Sequence, residues 1–200
     1  MAKKVNREKK REFILTKALE EIGKRGLRHT KMEHIARACG IGKGTLYEYF
    51  HSKEDLLEEV MNFFFSDYIT YTEQVLNKIS DPEKWMEKFI ELNFKFIWSS
   101  SPELKIIFDI WAELAREGRG MDWLKQFYSL WRDRIKDVIE KGKVEGVFSP
   151  ALSSFSFATF VVASLDCLFL QKTMGLLEGR EKEIENDFKK LFLANLRGEK

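Results

Sequence analysis

Residues 30–53 read TKMEHIARACGIGKGTLYEYFHSK, and the spacing of their polar and apolar positions implies two short helices joined by a tight turn. Thr30, followed three residues later by Glu33, has the form of a capping box, in which each side chain satisfies a free backbone N–H at a helix start. Met32, Ile35, Ala36 and Cys39 then recur at helical spacing. Gly40 can take the positive φ that closes a helix, and Ile41 is the apolar residue that a tight turn buries. A second short helix is expected over residues 42–50, with Leu46 and Phe50 on one face and Lys43, Thr45, Tyr47 and Tyr49 largely on others. Polar and aromatic donors on a short exposed helix suit a DNA groove. Ser52 opens a third helix with Asp55 at its box position. Lys53 puts a cation at that N-terminus, where the helix dipole disfavours it, and a DNA phosphate there would reverse the cost. Three packed helices whose polar residues merely face water are the plainer alternative.

The string T-x-x-x-x-I-A-x-x-x-G-I-x-K-G-T-L-Y-x-Y-F-x-S-K-E-D-L-L is filled by Thr30, Ile35, Ala36, Gly40, Ile41, Lys43 to Tyr47, Tyr49, Phe50 and Ser52 to Leu57. It resembles the TetR family of transcriptional regulators, ungapped, over roughly the first third of the chain. One departure is Gly42, where many proteins with this pattern carry a Ser N-cap; glycine there costs about a few tenths of a kcal/mol. The resemblance implies an N-terminal three-helix DNA-binding domain, a helical ligand-binding and dimerisation domain, and a homodimer formed through the last two long helices.

Charge is distributed in keeping with that reading. Residues 1–53 hold 14 Lys and Arg against 6 Asp and Glu, net +8, whereas residues 54–200 hold 20 against 26, net −6. The basic end is the end with the motif. Hydrophobic residues make up 44% of the chain, ample for a buried core. Cys39 and Cys167 are far apart and lack metal-ligand spacing, so a disulfide framework is not expected and a reducing, cytoplasmic setting is. No apolar stretch follows the basic start, so no signal peptide is expected.

Lys3, Lys4, Arg7, Lys9, Lys10 and Arg11 form a basic run that is either a solvated tail or an arm reaching phosphate or the minor groove. A first helix is expected from about residue 7 to residue 24, with Ile14, Ala18 and Ile22 on one stripe and Gly23 and Gly26 marking its end. After Ser52, apolar residues from Leu56 to Ile79 sustain a helical period through a long helix that links the DNA-binding domain to the remainder. Asp81-Pro82, Ser101-Pro102 and Ser149-Pro150 each pair an N-cap type with proline, which tolerates the first helical position. They predict helices near 82–99, 102–117, 120–145 and 150–175, with a last one near 179–197; Gly118, Gly120, Gly146, Gly175 and Gly179 fall at the breaks. The expected fold class is all-α with about nine helices: residues 1–55 a helix-turn-helix DNA-binding domain, residues 56–200 a ligand-binding and dimerisation domain.

Residues 151–170 carry one charge, Asp166, and are long enough to cross a bilayer. Their five Ser and Thr favour instead a helix buried on both sides, between its own core and a second copy, so no membrane partner is expected. The helices near 150–175 and 179–197 offer two long surfaces per chain for a four-helix bundle across a twofold axis.

Of 27 aromatic residues, 23 lie beyond residue 53. Phe64, Tyr68, Tyr71, Phe89, Trp98, Phe108, Trp111, Phe127, Trp131 and Phe160 are candidates for lining a cavity, because bulky rings between helices leave space for an apolar or aromatic ligand. Plain core packing is the competing explanation for each. No phosphate loop, nucleophile elbow, metal cluster or cofactor motif is present, so neither enzyme activity nor a cofactor is expected. The expected function is a ligand-responsive, homodimeric repressor released from a palindromic DNA operator by a small apolar or aromatic effector, with an effector-free activator or architectural protein as the alternative. Lys43, Gly44, Thr45, Tyr47 and Tyr49 are the candidates for base or adjacent phosphate contact, and Thr30, Lys31, His51 and Lys53 for holding phosphates.

Overall fold

The computed structural model describes residues 2–99, 103–118 and 121–198, without the side chains of residues 2–5, 103 and 121. The expected cap Ser101-Pro102, the break at Gly120, and the Lys3 and Lys4 side chains lie outside the described residues. Among those described, the secondary structure is α-helical apart from one short 3-10 turn at Leu27–His29. The nine helices are α1 (Ala2–Arg25), α2 (Met32–Ala38), α3 (Lys43–Tyr49), α4 (Lys53–Leu76), α5 (Pro82–Trp98), α6 (Glu103–Arg116), α7 (Met121–Val144), α8 (Ser154–Thr173) and α9 (Glu181–Arg197). The all-α architecture expected from periodicity is therefore present.

Packing groups these helices into two compact units, residues 1–67 with 101–123, and residues 68–100 with 124–200. The division does not follow the chain at residue 55. α6 belongs with the N-terminal helices, since Ile107, Ile110 and Leu114 share one core with Ile14, Ile22, Ile35, Leu46, Phe50 and Leu56. Gly23 explains the approach: it lies inside α1, not at its end, and a Cβ there would meet the Ile106 Cδ1 atom at 3.1 Å. α1 ends at Arg25, with Gly26 taking φ 77° beyond it. Leu46 and Phe50 are fully buried, so the short α3 is held by its apolar face. Truncating Leu46 to Ala would cost about 2–5 kcal/mol in lost transfer energy and cavity formation.

In the second unit, α5 packs against α8 and α9. Trp85, Phe89, Phe94, Trp131, Ile135, Phe157, Val161, Phe188 and Leu196 form its core. Trp85 and Phe89 stack nearly parallel, with ring centroids 5.4 Å apart. Asp81 caps α5 as its sequence implies, accepting the Lys84 N–H at 2.9 Å with Pro82 behind it.

The Ser149-Pro150 start is not observed. The Ser149 N–H donates to the Leu196 carbonyl at 2.8 Å, and residues 149–152 form a turn. α8 begins at Ser154 with Ser153 as its N-cap. A proline in this place therefore shapes the turn between two buried anchors, Phe148 and Ser154. α8 is long and apolar enough to cross a membrane by length and composition. It buries Phe157, Ala158, Val161 and Leu165, while Phe155 and Phe160 on other faces stay 57% and 65% exposed. Within one chain, then, α8 is covered on one side and not on both.

Candidate nucleic-acid interface

α2 and α3 are joined by a turn whose hydrogen bonds fix its shape. The Gly40 N–H donates to the Arg37 carbonyl at 3.1 Å and the Ile41 N–H to the Ala36 carbonyl at 3.0 Å. These two bonds make a Schellman ending, which needs a left-handed residue, and Gly40 supplies φ 64°. α3 then starts at Lys43 with Gly42 as an N-cap that offers no side-chain bond.

The start of α2 differs from the expected Thr30–Glu33 box. Thr30 is 1% exposed. Its hydroxyl points back, 2.9 Å from the Gly26 carbonyl oxygen and 3.3 Å from that of Glu21, so it neither caps α2 nor offers its hydroxyl to a phosphate. Lys31 is the N-cap residue instead. Its N–H donates to His34 Nδ1 at 3.2 Å, which leaves the imidazole proton on Nε2. The Lys31 ammonium has no lone pair, so only this half of a capping box operates. Sequence reasoning missed His34; its signal was the position three residues after Lys31.

At α4 the expected box forms in a shifted version. The Ser52 Oγ accepts the Asp55 N–H at 3.0 Å, and the Asp55 carboxylate accepts the His51 N–H at 2.7 Å. His51 keeps its side chain exposed. Lys53 is half-buried, and its ammonium donates to the Leu27 carbonyl at 2.9 Å.

Lys43, Gly44 and Tyr47 are exposed on α3, Thr45 is half-buried beside them, and Tyr49 is half-buried against the core. The Lys43 ammonium lies 5.9 Å from the Tyr47 ring centre. Beside this surface is a cleft of about 270 Å³ lined by Arg28, Thr30, Lys31, Met32, Glu33, Lys43, Tyr47 and Lys53. Four basic residues and one acidic residue line it, a positive balance that suits an anion. Arg28 was not among the sequence candidates, because nothing local to it marks it as facing the cleft.

The aromatic candidates are divided between the two units. Phe64 and Phe108 are half-buried and Trp111 is exposed in the first. In the second, Phe89 and Trp131 are core residues, 2% and 4% exposed, Tyr68, Trp98 and Phe127 are half-buried, and Tyr71 and Phe160 lie at the surface. The Tyr68 hydroxyl donates to Asn93 Oδ1 at 2.7 Å, and burial pushes its pKa above the usual phenol value. The Tyr128 hydroxyl bonds the Asp166 carboxyl, whose pKa burial raises to about 6. The buried indole N–H groups of Trp98 and Trp131 find no acceptor among the described residues.

Three packed helices, a glycine turn and a second helix that shows its polar face beside a cationic cleft define a helix-turn-helix DNA-binding protein. Residues 14–60 match the profile described as bacterial regulatory proteins, tetR family. The transcriptional repressor KstR2 of Rhodococcus jostii is 27% identical over 139 residues, spanning 70% of this chain and 68% of that one. In fold, the fatty acid degradation regulator FadR from Bacillus halodurans superposes with a TM-score of 0.75 at 22% identity, covering 94% and 96% of the two chains. AibR in complex with isovaleryl coenzyme A and operator DNA gives 0.67 at 21% identity, covering 91% and 97%. Residues 14–60 thus carry the DNA-binding domain of the TetR family of bacterial regulatory proteins.

Proposed function

We propose that the protein is a homodimeric repressor that binds a palindromic operator through α3 and is released by a small effector with an apolar or aromatic body. The observation that carries this reading is the exposed face of α3 beside the Arg28, Lys31, Lys43 and Lys53 cleft. In the proposed complex, Lys43, Gly44, Thr45 and Tyr47 approach base edges or adjacent phosphates, and Tyr49 the flank. Lys31, His51 and Lys53 face the backbone, which fixes orientation without reading sequence. Two copies joined through α8 and α9 would cover Phe155, Phe160 and Leu191, each more than half exposed in the single chain.

The second unit is the proposed effector site. Tyr68, Trp98, Phe127 and Trp131 supply rings, and the unsatisfied indole N–H groups of Trp98 and Trp131 suit a carbonyl acceptor on the effector. An acyl thioester combines an apolar chain with such a carbonyl, and AibR was solved with one, so acyl-coenzyme A compounds are the first class to test. Selection of bound duplexes from a random DNA pool, followed by release with acyl-coenzyme A of graded chain length, tests both halves. Reciprocity requires an effector that weakens DNA binding to bind less well to the DNA complex. Equal effector affinity with and without the selected duplex would exclude release by this mechanism.

A further inference from the structure

α3 is seven residues long and ends without a basic residue in its own last turn. Its final carbonyls are left for partners outside the helix, and the partial negative charge there calls for a cation. α1 supplies two. Arg7 NH2 lies 3.3 Å from the Glu48 carbonyl oxygen, and Arg11 NH1 lies 3.2 Å from that of Tyr49. The two arginines are one helical turn apart, so they address consecutive carbonyls.

Further contacts fix Arg11 more firmly than Arg7. Its guanidinium sits 4.7 Å from the centre of the fully buried Phe50 ring, and another of its nitrogens pairs with Glu59 of α4 at 3.1 Å. Arg7 lies 5.7 Å from the Tyr49 ring centre. Arg11 thereby joins α1, the end of α3 and α4 through one planar group, which an ammonium could not do.

We propose that Arg11, seconded by Arg7, is a positioning residue for DNA reading: it fixes the C-terminal end of α3, and so the helix's angle in the groove, without neutralising a phosphate. The proposal rests on the reading of α3 as the helix that enters DNA. It reassigns two members of the basic N-terminal run from arm to brace. A guanidinium spent on one carbonyl and a carboxylate is not free to displace counterions. Its loss should weaken recognition of sequence more than attraction to DNA in general.

The test compares wild type with Arg11→Gln and Arg11→Lys on a duplex selected by the wild type and on an unrelated duplex, over a range of salt. For Arg11→Gln we expect about a tenfold loss on the selected duplex, what one or two charge-assisted hydrogen bonds supply. The loss on the unrelated duplex should be smaller, and the slope of log K against log salt should equal that of the wild type. Arg11→Lys should recover only part of the loss, because it restores charge without the fork, and it carries the test alone if Arg11→Gln does not fold. A slope shallower by about 0.9 per protomer, or full recovery with lysine, marks a phosphate contact and overturns the proposal while leaving DNA binding intact. Unchanged affinity for the selected duplex overturns it as well. A wild type that selects no duplex overturns both it and the DNA-binding reading.

Discussion

The Lys53 ammonium donates to the Leu27 carbonyl across 26 residues of chain, at 2.9 Å. The bond ties the first residue of α4 to the 3-10 turn before α2, at the rim of the cationic cleft. It also satisfies a cation that the N-terminus of α4 would otherwise disfavour.

Lys53 should therefore matter before any DNA is present. Lys53→Met is expected to lower stability by about 1 kcal/mol, the scale of a partly exposed bond to a charged donor. Thermal unfolding without DNA checks this. An unchanged melting temperature would return Lys53 to a purely phosphate-facing role.

If each protomer of the proposed dimer holds about four phosphates, the salt slope of log K should lie near −7, from ~0.9 per contact. Lys31→Gln should make that slope shallower, whereas Tyr47→Ala should weaken the selected duplex and leave the slope unchanged. Fluorescence anisotropy over a salt series separates the two. A wild-type slope near zero would refute phosphate anchoring.

Gly142 is buried under Phe148. A Cβ at that position would stand 2.1 Å from the Phe148 ring, and the Gly142 carbonyl accepts the N–H groups of both Val147 and Phe148. Gly142→Ala should destabilise by about 1–3 kcal/mol through overpacking. Phe148→Leu in the same chain should return part of that. Denaturant titration of the two single variants and the double variant measures the coupling, and additive losses would show that the ring is not the obstacle.

Asp166 introduces a pH dependence. Its carboxyl is raised from the ordinary 3.8 to about 6, chiefly by burial. Between those values the folded chain keeps a proton that the unfolded chain has released, so its contribution is full below about pH 4 and is lost as pH rises through about 6. By its accessible surface the residue is exposed, at odds with the burial that raises its carboxyl, so solvent screening keeps the effect small. Asp166→Asn should flatten this part of the stability profile and raise the melting temperature at pH above 6. A variant whose profile follows the wild type across that window would contradict the assignment.

The exposed Phe160 and Leu191 predict the oligomeric state. Phe160→Glu and Leu191→Glu put charge on surfaces that the proposed dimer buries, on α8 and α9. Sedimentation should shift towards the monomer at micromolar concentration, and DNA affinity should fall with it. Dimers that persist in both variants would place the twofold contact elsewhere.

Much of the helix-turn-helix was legible because its signals are local. The period of Ile35, Ala36 and Cys39, the glycine turn at Gly40 and the Ser52–Asp55 cap are set within a few residues, and each helix lies within a few residues of its expected place. Local reasoning went astray where a polar group chose a distant partner. Thr30 has the spacing of a cap, yet its hydroxyl turns to Gly26 and Glu21. Ser149-Pro150 has the form of a helix start, yet the Ser149 N–H is already taken by Leu196.

By itself, the sequence determined the helix class, the recognition motif and the charge asymmetry between the two ends, because periodicity, capping and composition act over a turn or two of chain. Tertiary structure alone decided that α6 packs with the N-terminal helices, that Arg7 and Arg11 brace the end of α3, and that Arg28, Lys31, Lys43 and Lys53 converge on one cleft. Those choices depend on which carbonyls and apolar faces remain unpaired after each helix has formed, and only the packed chain settles which distant group meets them.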